Sequence, residues 1–211
     1  MLIKSTAQNN KQIKQNNNKK KTIHWIRHAE AYSNTSELNY QIEDPGLTLK
    51  GISQCENLKK NIHMNNKFSD VELIVVSPLT RTLETCTNVF NSFFYSIPVV
   101  CVEEIREHID NPCHKRLNIS KKINKFGSNP INFSTLSEHD CMYKKFNGLE
   151  PKSNVINRCK WFVKWLKSRK ESNIIVITHG NFLFPMFNDV LTLQTDNKTF
   201  FSNCEIRSLQ L

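Results

Sequence analysis

A recurrence in the sequence constrains the fold of this chain more than any other feature. Short β-branched, apolar runs lie at Thr22 to Ile26, Val71 to Val76, Ile97 to Val102 and Ile174 to Thr178, with a weaker one at Cys204 to Leu209. Runs of this length, apolar throughout and bounded by Pro, Asn or Ser, fit strands covered on both faces. Between them the apolar spacing becomes helical. Thr48 is placed to cap a helix with Ile52, Cys55, Leu58 and Ile62 on its inner face. A second helix follows Ser77-Pro78, with Leu79, Leu83, Cys86, Phe90 and Phe93 inward and Pro78 suited to its first turn. A third, from about Ser153, turns Val155, Cys159, Phe162, Val163 and Leu166 inward. Trp161, Trp165, Phe182, Phe184 and Phe187 are expected to pack in the core. Strands alternating with helices predict an α/β fold, a three-layer sandwich with a mainly parallel sheet flanked by helices.

The 211 residues suffice for one domain with a substantial core and are short for two. The formal charge of +10 suggests nucleic acid until it is localised: Lys4, Lys11, Lys14, Lys19, Lys20 and Lys21 carry +6 of it. Residues 1–20 are rich in Asn, Gln and Lys and are expected to be a disordered tail, with one domain over 21–211. The tail lacks aromatic residues to stack on bases, so no nucleic-acid partner is expected. Residues 111–150 fit neither period and are expected to form an irregular functional insertion. Seven cysteines without a CxxC pair suit a reducing, cytoplasmic setting better than a disulfide framework. Cys113-His114 and His139-x-Cys141 lack the spacing of structural zinc ligands, so no metal is expected. No apolar run approaches a membrane span, and nothing speaks to oligomeric state.

In open α/β sheets, ligands bind beyond the carboxyl ends of the strands. One run ends in Arg27-His28, a second in Ser77-Pro78-Leu79-Thr80-Arg81 and a third in Thr178-His179-Gly180, while Glu103, Glu104 and Glu107 follow Val102. A single strand-end histidine is usually structural. Two histidines, two arginines and a carboxylate converging on one sheet edge suit a dianionic phosphoryl group.

These residues carry a family resemblance. Arg27-His28-Ala29-Glu30 with Asn34 resembles the R-H-G-E-x-x-x-N opening of the histidine phosphatase superfamily, in its phosphoglycerate mutase-like branch. Asp44 to Gln54 is similar to that family's D-x-x-L-T-x-x-G-x-x-Q segment, Ser77 to Thr82 to its S-P-L-x-R-T, and His179-Gly180-Asn181 to its H-G-N. Arg106-Glu107-His108 followed by Cys113-His114-Lys115-Arg116 and Ser120 resembles R-E-H…C-D-K-R-x-S in a eukaryotic phosphoglycerate mutase-like subgroup. His114 stands for its Asp and Asp110 for a Gly.

The resemblance implies a phosphoric monoester hydrolase of the histidine acid phosphatase type, with no cofactor and a small phosphorylated substrate. His28 would be the nucleophile; Arg27, Arg81 and His179 would bind phosphoryl oxygens; Glu107, with Glu104 as competitor, would be the general acid. Asn34, Gly180, Lys115 and Arg116 would contact the substrate. The alternatives are a phosphoglycerate mutase, a phosphohistidine-protein phosphatase and a non-catalytic phosphate-binding module. The interval from Glu107 to His179 is shorter than in cofactor-dependent mutases of the family, which favours hydrolysis. Ala29 replaces the commoner glycine, and a positive φ there would mean backbone strain.

Overall fold

The computed structural model describes residues 20–65, 68–93, 96–191 and 200–211. The expected tail therefore lies outside the described residues up to position 19. Lys21, the last of the six N-terminal lysines, belongs to the fold. It is buried and its Nζ donates to the carbonyls of Arg169 (2.5 Å) and Glu171 (2.7 Å).

Among the described residues, six strands form one sheet in the order β4-β3-β2-β5-β1-β6. They are β1 (Thr22–Arg27), β2 (Leu73–Val76), β3 (Val99–Cys101), β4 (Ile131–Asn132), β5 (Asn173–Thr178) and β6 (Ile206–Gln210). All pairings are parallel except that of β6 with β1, so the sheet is mainly parallel with one antiparallel edge. β2, β3 and β6 are shorter than the apolar runs that announce them, whereas β1 and β5 are each one residue longer. Cys204 lies before β6 in a turn, with φ 59°.

Alternate residues of the strands face opposite layers, as the pleat requires. Ile26, Ile74, Val76, Ile175 and Ile177 pack beneath α1 (Leu49–His63), α2 (Thr80–Phe90) and α3 (Ile119–Phe126). Ile23, Trp25, Leu73, Val75, Ile174 and Val176 pack against α5 (Lys152–Ser168) and α6 (Gly180–Pro185). Two cores on the two faces of one sheet make the three layers.

Local chemistry sets the helix limits. The Thr48 hydroxyl accepts from Gly51 N–H at 3.0 Å and caps α1. Gly51 takes the buried position expected of Ile52, which is 38% exposed. Only glycine fits there, because a Cβ would lie 2.1 Å from the Glu30 carbonyl oxygen. Pro78 precedes α2 instead of entering its first turn, and Phe93 follows the helix, half-buried. Trp161 is 42% exposed and stacks on Trp165 instead of packing inside.

The segment 111–150 is more ordered than its sequence suggests. It holds α3, β4 and α4 (Cys141–Phe146). The three lysines of α3 mask its stripe, in which Ile119 and Phe126 are buried together with Lys122. Lys122 is tolerated there because its Nζ pairs with Asp44, the kind of partner a buried ammonium requires.

Candidate active site

The topology explains why motifs far apart in sequence meet. Strand β5 lies between β1 and β2, and its register sets Arg27 opposite Thr178 and Val76 opposite Ile177. The carboxyl ends of all three strands thus reach one sheet edge together. A cavity of about 380 Å³ opens there, lined by Arg27, His28, Asn34, Arg81, Glu107 and Gly180, among others.

His28 is buried and held by both ring nitrogens. Nδ1 donates to the Ala29 carbonyl at 2.7 Å, and Arg81 Nε donates to Nε2 at 3.2 Å. A ring nitrogen that accepts an N–H carries no proton, so this is the neutral Nδ1–H tautomer. Burial first, then the charges of Arg81 and Arg27, push its pKa well below the ordinary 6.5. Ala29 does not have a positive φ, and its N–H donates to Thr85 Oγ1 at 3.0 Å. Alanine replaces glycine here without backbone strain.

Arg81, in the first turn of α2, is buried and also donates from Nη1 to the Cys113 carbonyl at 3.2 Å. Asp44 positions that turn, since its Oδ1 accepts from Thr80 N–H at 2.7 Å. Arg27 Nη1 donates to the Phe201 carbonyl at 2.6 Å, while its buried Nε has no hydrogen-bond partner among the described residues. The same holds for His179 Nδ1, whose ring centroid lies 5.1 Å from that of His28. His179 Nε2 is tied to Ser77 Oγ at 2.7 Å. Burial, Arg81 and His28 keep this second ring neutral as well. Gly180 lies so near Arg27 that a Cβ would come 3.4 Å from the guanidinium Nε. Asn34 Oδ1 accepts from Ala31 N–H at 3.0 Å, which leaves its amide N–H groups as donors at the cavity.

Of the three glutamates after β3, only Glu107 lines the cavity. Its carboxylate accepts from the backbone N–H groups of His108 (2.9 Å) and Asn181 (3.3 Å). Glu103 pairs with Arg106 and Arg116. Glu104 is not among the lining residues, and burial raises its pKa. Arg106 anchors the Glu107 segment through a two-pronged pair with Asp140, at 2.7 and 2.8 Å.

Lys115 and Arg116, expected at the substrate, are not among the residues lining the cavity. Lys115 pairs with Glu43 at 2.5 Å. Arg116 is buried and donates to Glu103 and to the carbonyls of Leu117, Ser137 and His139. The polar rim comes instead from Tyr40, Asp110, Asn111 and His114, with His114 Nδ1 2.9 Å from Asp110 Oδ1. Two of these, Asp110 and His114, are the positions where the sequence departs from the subgroup pattern. Ser77 stood in a motif, but its bond to His179 had no sequence signal. Among the described residues no cluster of three or more His, Cys, Asp or Glu is placed to hold a metal ion, and no helix is long and apolar enough to cross a membrane.

An α/β sandwich with two neutral histidines and two arginines at one sheet edge is a scaffold for handling phosphoryl groups. The model of the histidine phosphatase superfamily (branch 1) matches residues 23–211, and the chain belongs to that family. Its relatives include phosphoglycerate mutase-like protein 1 of Arabidopsis thaliana, 29% identical over 228 aligned positions that cover 90% of this chain and 80% of the relative. Among solved structures it is similar in fold to the ecdysone phosphate phosphatase of Bombix mori, in complex with tungstate. That match has a TM-score of 0.62 at 14% identity and covers 89% of this chain and 88% of the other. The alpha-ribazole phosphatase of Shigella flexneri superposes with a TM-score of 0.56 at 16% identity, covering 89% of each chain.

Proposed function

We propose that the chain is a phosphomonoesterase working through a phosphohistidine at His28. The observation that carries this is the His28 ring itself: neutral, oriented by Ala29, with Nε2 facing the guanidinium of Arg81 at the cavity. In the first step Nε2 attacks phosphorus, the N–P bond forms and the P–O bond to the alcohol breaks. Glu107, protonated, gives its proton to the departing oxygen. In the second step Glu107 takes a proton from water, the water oxygen attacks phosphorus and the N–P bond breaks. Phosphate leaves, and His28 returns to its neutral form.

Arg27, Arg81 and His179 would bear on the non-bridging oxygens, and Asn34 would add an uncharged donor. The orphaned Arg27 Nε and His179 Nδ1 are buried polar atoms of the kind a bound oxyanion satisfies. No step calls for a metal or a cofactor. The test is hydrolysis of p-nitrophenyl phosphate by the full chain and by His28→Ala, with rapid acid-free quenching to trap phosphate on the protein. Release of inorganic phosphate, labelling of the wild type and its absence in the variant are expected. Hydrolysis that survives His28→Ala would refute the reading.

A further inference from the structure

The two backbone amides that hold the Glu107 carboxylate belong to His108 and Asn181, and both residues also line a second cavity. This groove, of about 280 Å³, shares Asn181 and Phe200 with the phosphate cavity, so the two adjoin at that wall. Its character is different. Val155, Ile156, Phe184, Pro185 and Phe200 make most of its lining. Phe184, expected in the core, is instead 38% exposed and stacks on the 56%-exposed Phe200 at 4.5 Å between centroids. Lys152 and Asp189 bring opposite charges to the groove, which leaves it no formal net attraction for a second anion.

We infer that this groove is the subsite for the leaving alcohol, and that the substrate is a phosphomonoester of an apolar alcohol with an alkyl or aryl body. The inference rests on the phosphohistidine reading above. An in-line displacement sends the leaving oxygen away from His28 Nε2 and toward the group that protonates it. With Glu107 as that group, the carbon skeleton emerges beside His108 and Asn181. There it meets the apolar groove, and the paired rings of Phe184 and Phe200 give it a flat surface to lie on. A phosphorylated hydroxy acid would place its carboxylate against hydrocarbon there and forgo hydrogen bonds that water supplies.

The n-alkyl phosphates provide the test, because ethyl, butyl and hexyl phosphate differ in apolar length and scarcely in the reactivity of the leaving alcohol. With wild type, kcat/KM should rise roughly threefold to fourfold per added methylene, as expected for a CH2 leaving water, until the groove is filled. Phe184→Ser and, separately, Ile156→Ser should each lower the hexyl-to-ethyl ratio of kcat/KM by about tenfold, a readout that partial unfolding does not move. A flat wild-type series with turnover of every ester overturns the groove assignment and leaves the phosphatase reading standing. So does a ratio unchanged in both variants. Failure of wild type to hydrolyse any ester overturns both.

Discussion

Arg81 donates its Nε–H to Nε2 of His28 across 3.2 Å, so one guanidinium both adds to burial in holding the ring's basicity down and points at the nitrogen that would attack phosphorus. The arrangement links orientation to charge. The arginine occupies the lone pair of Nε2; an incoming phosphoryl oxygen is a stronger acceptor and would draw the guanidinium onto itself.

Replacing Arg81 should therefore be costly to turnover. Arg81→Ala removes a preorganised donor for the transferring group, and kcat should fall roughly 100- to 1,000-fold. Arg81→Lys restores the charge and not the planar fork, so it should recover little of the loss. Steady-state kinetics with p-nitrophenyl phosphate decide it; a lysine variant within about threefold of wild type would show that charge alone suffices.

The histidines also determine the response to acid. Both His28 and His179 are buried with pKa values pushed well below 6.5, so the folded protein keeps them neutral where the unfolded chain takes up protons. The unfolded state then binds more protons, and stability present above about pH 6.5 is lost as pH falls, at up to about 1.4 kcal/mol per pH unit for each ring. Urea unfolding at pH 7.5 and 5.5 should show the drop, and His179→Asn should flatten it. Activity should behave differently, with no loss of kcat centred on pH 6.5, because the nucleophile does not titrate there. A wild-type kcat that falls with a midpoint near pH 6.5 would contradict the neutral-ring geometry.

Arg27, His28, Arg81 and His179 were legible in the sequence because parallel strands deliver whatever follows them to one edge, and apolar runs locate strand ends to within a residue or two. Glu107 was legible only through resemblance, since three glutamates follow β3 and only tertiary structure selects the glutamate that faces the cavity. Lys115 and Arg116 were expected at the substrate through resemblance, yet neither lines the cavity: Lys115 pairs with Glu43, and Arg116 donates to Glu103 and three carbonyls. Ile52 and Phe184 were assigned inward by periodicity, which identifies a helix face and not its width. The Asp44–Lys122 pair joins residues with no local pattern to connect them.

Gly51 offers a test of the motif that follows the first strand. A Cβ at this position meets a backbone oxygen at 2.1 Å, and backbone cannot rotate away as a side chain does. Glu30 is moreover held by Gln54 Oε1 at its N–H and by Thr48 at its carboxylate, so the turn after His28 resists displacement. Gly51→Ala should destabilise by about 1–3 kcal/mol despite alanine's better helix propensity. A rise in Tm would mean that α1 and the turn slide apart freely.

Asp44 and Lys122 are both buried, and they join α3 to the start of α2. Asp44 has φ 47°, in the left-handed region, and accepts from Thr80 N–H and Leu117 N–H as well as from Lys122. Burial lowers the Lys122 pKa, and the carboxylate of Asp44 opposes that shift. Lys122→Met keeps the volume and strands the carboxylate, which should cost on the order of 3 kcal/mol. For a chain of this size that lowers Tm by roughly 6–12 °C. Adding Asp44→Asn removes the stranded charge and keeps a side-chain oxygen for Thr80, so the double variant should regain more than about 1 kcal/mol over the Lys122→Met single. Thermal unfolding of the four proteins in the cycle measures the coupling directly, and strictly additive losses would mean that the two charges do not depend on each other. Because Asp44 also fixes the turn that carries Arg81, Asp44→Ala should lower kcat as well as Tm, while Lys122→Met should act mainly on Tm.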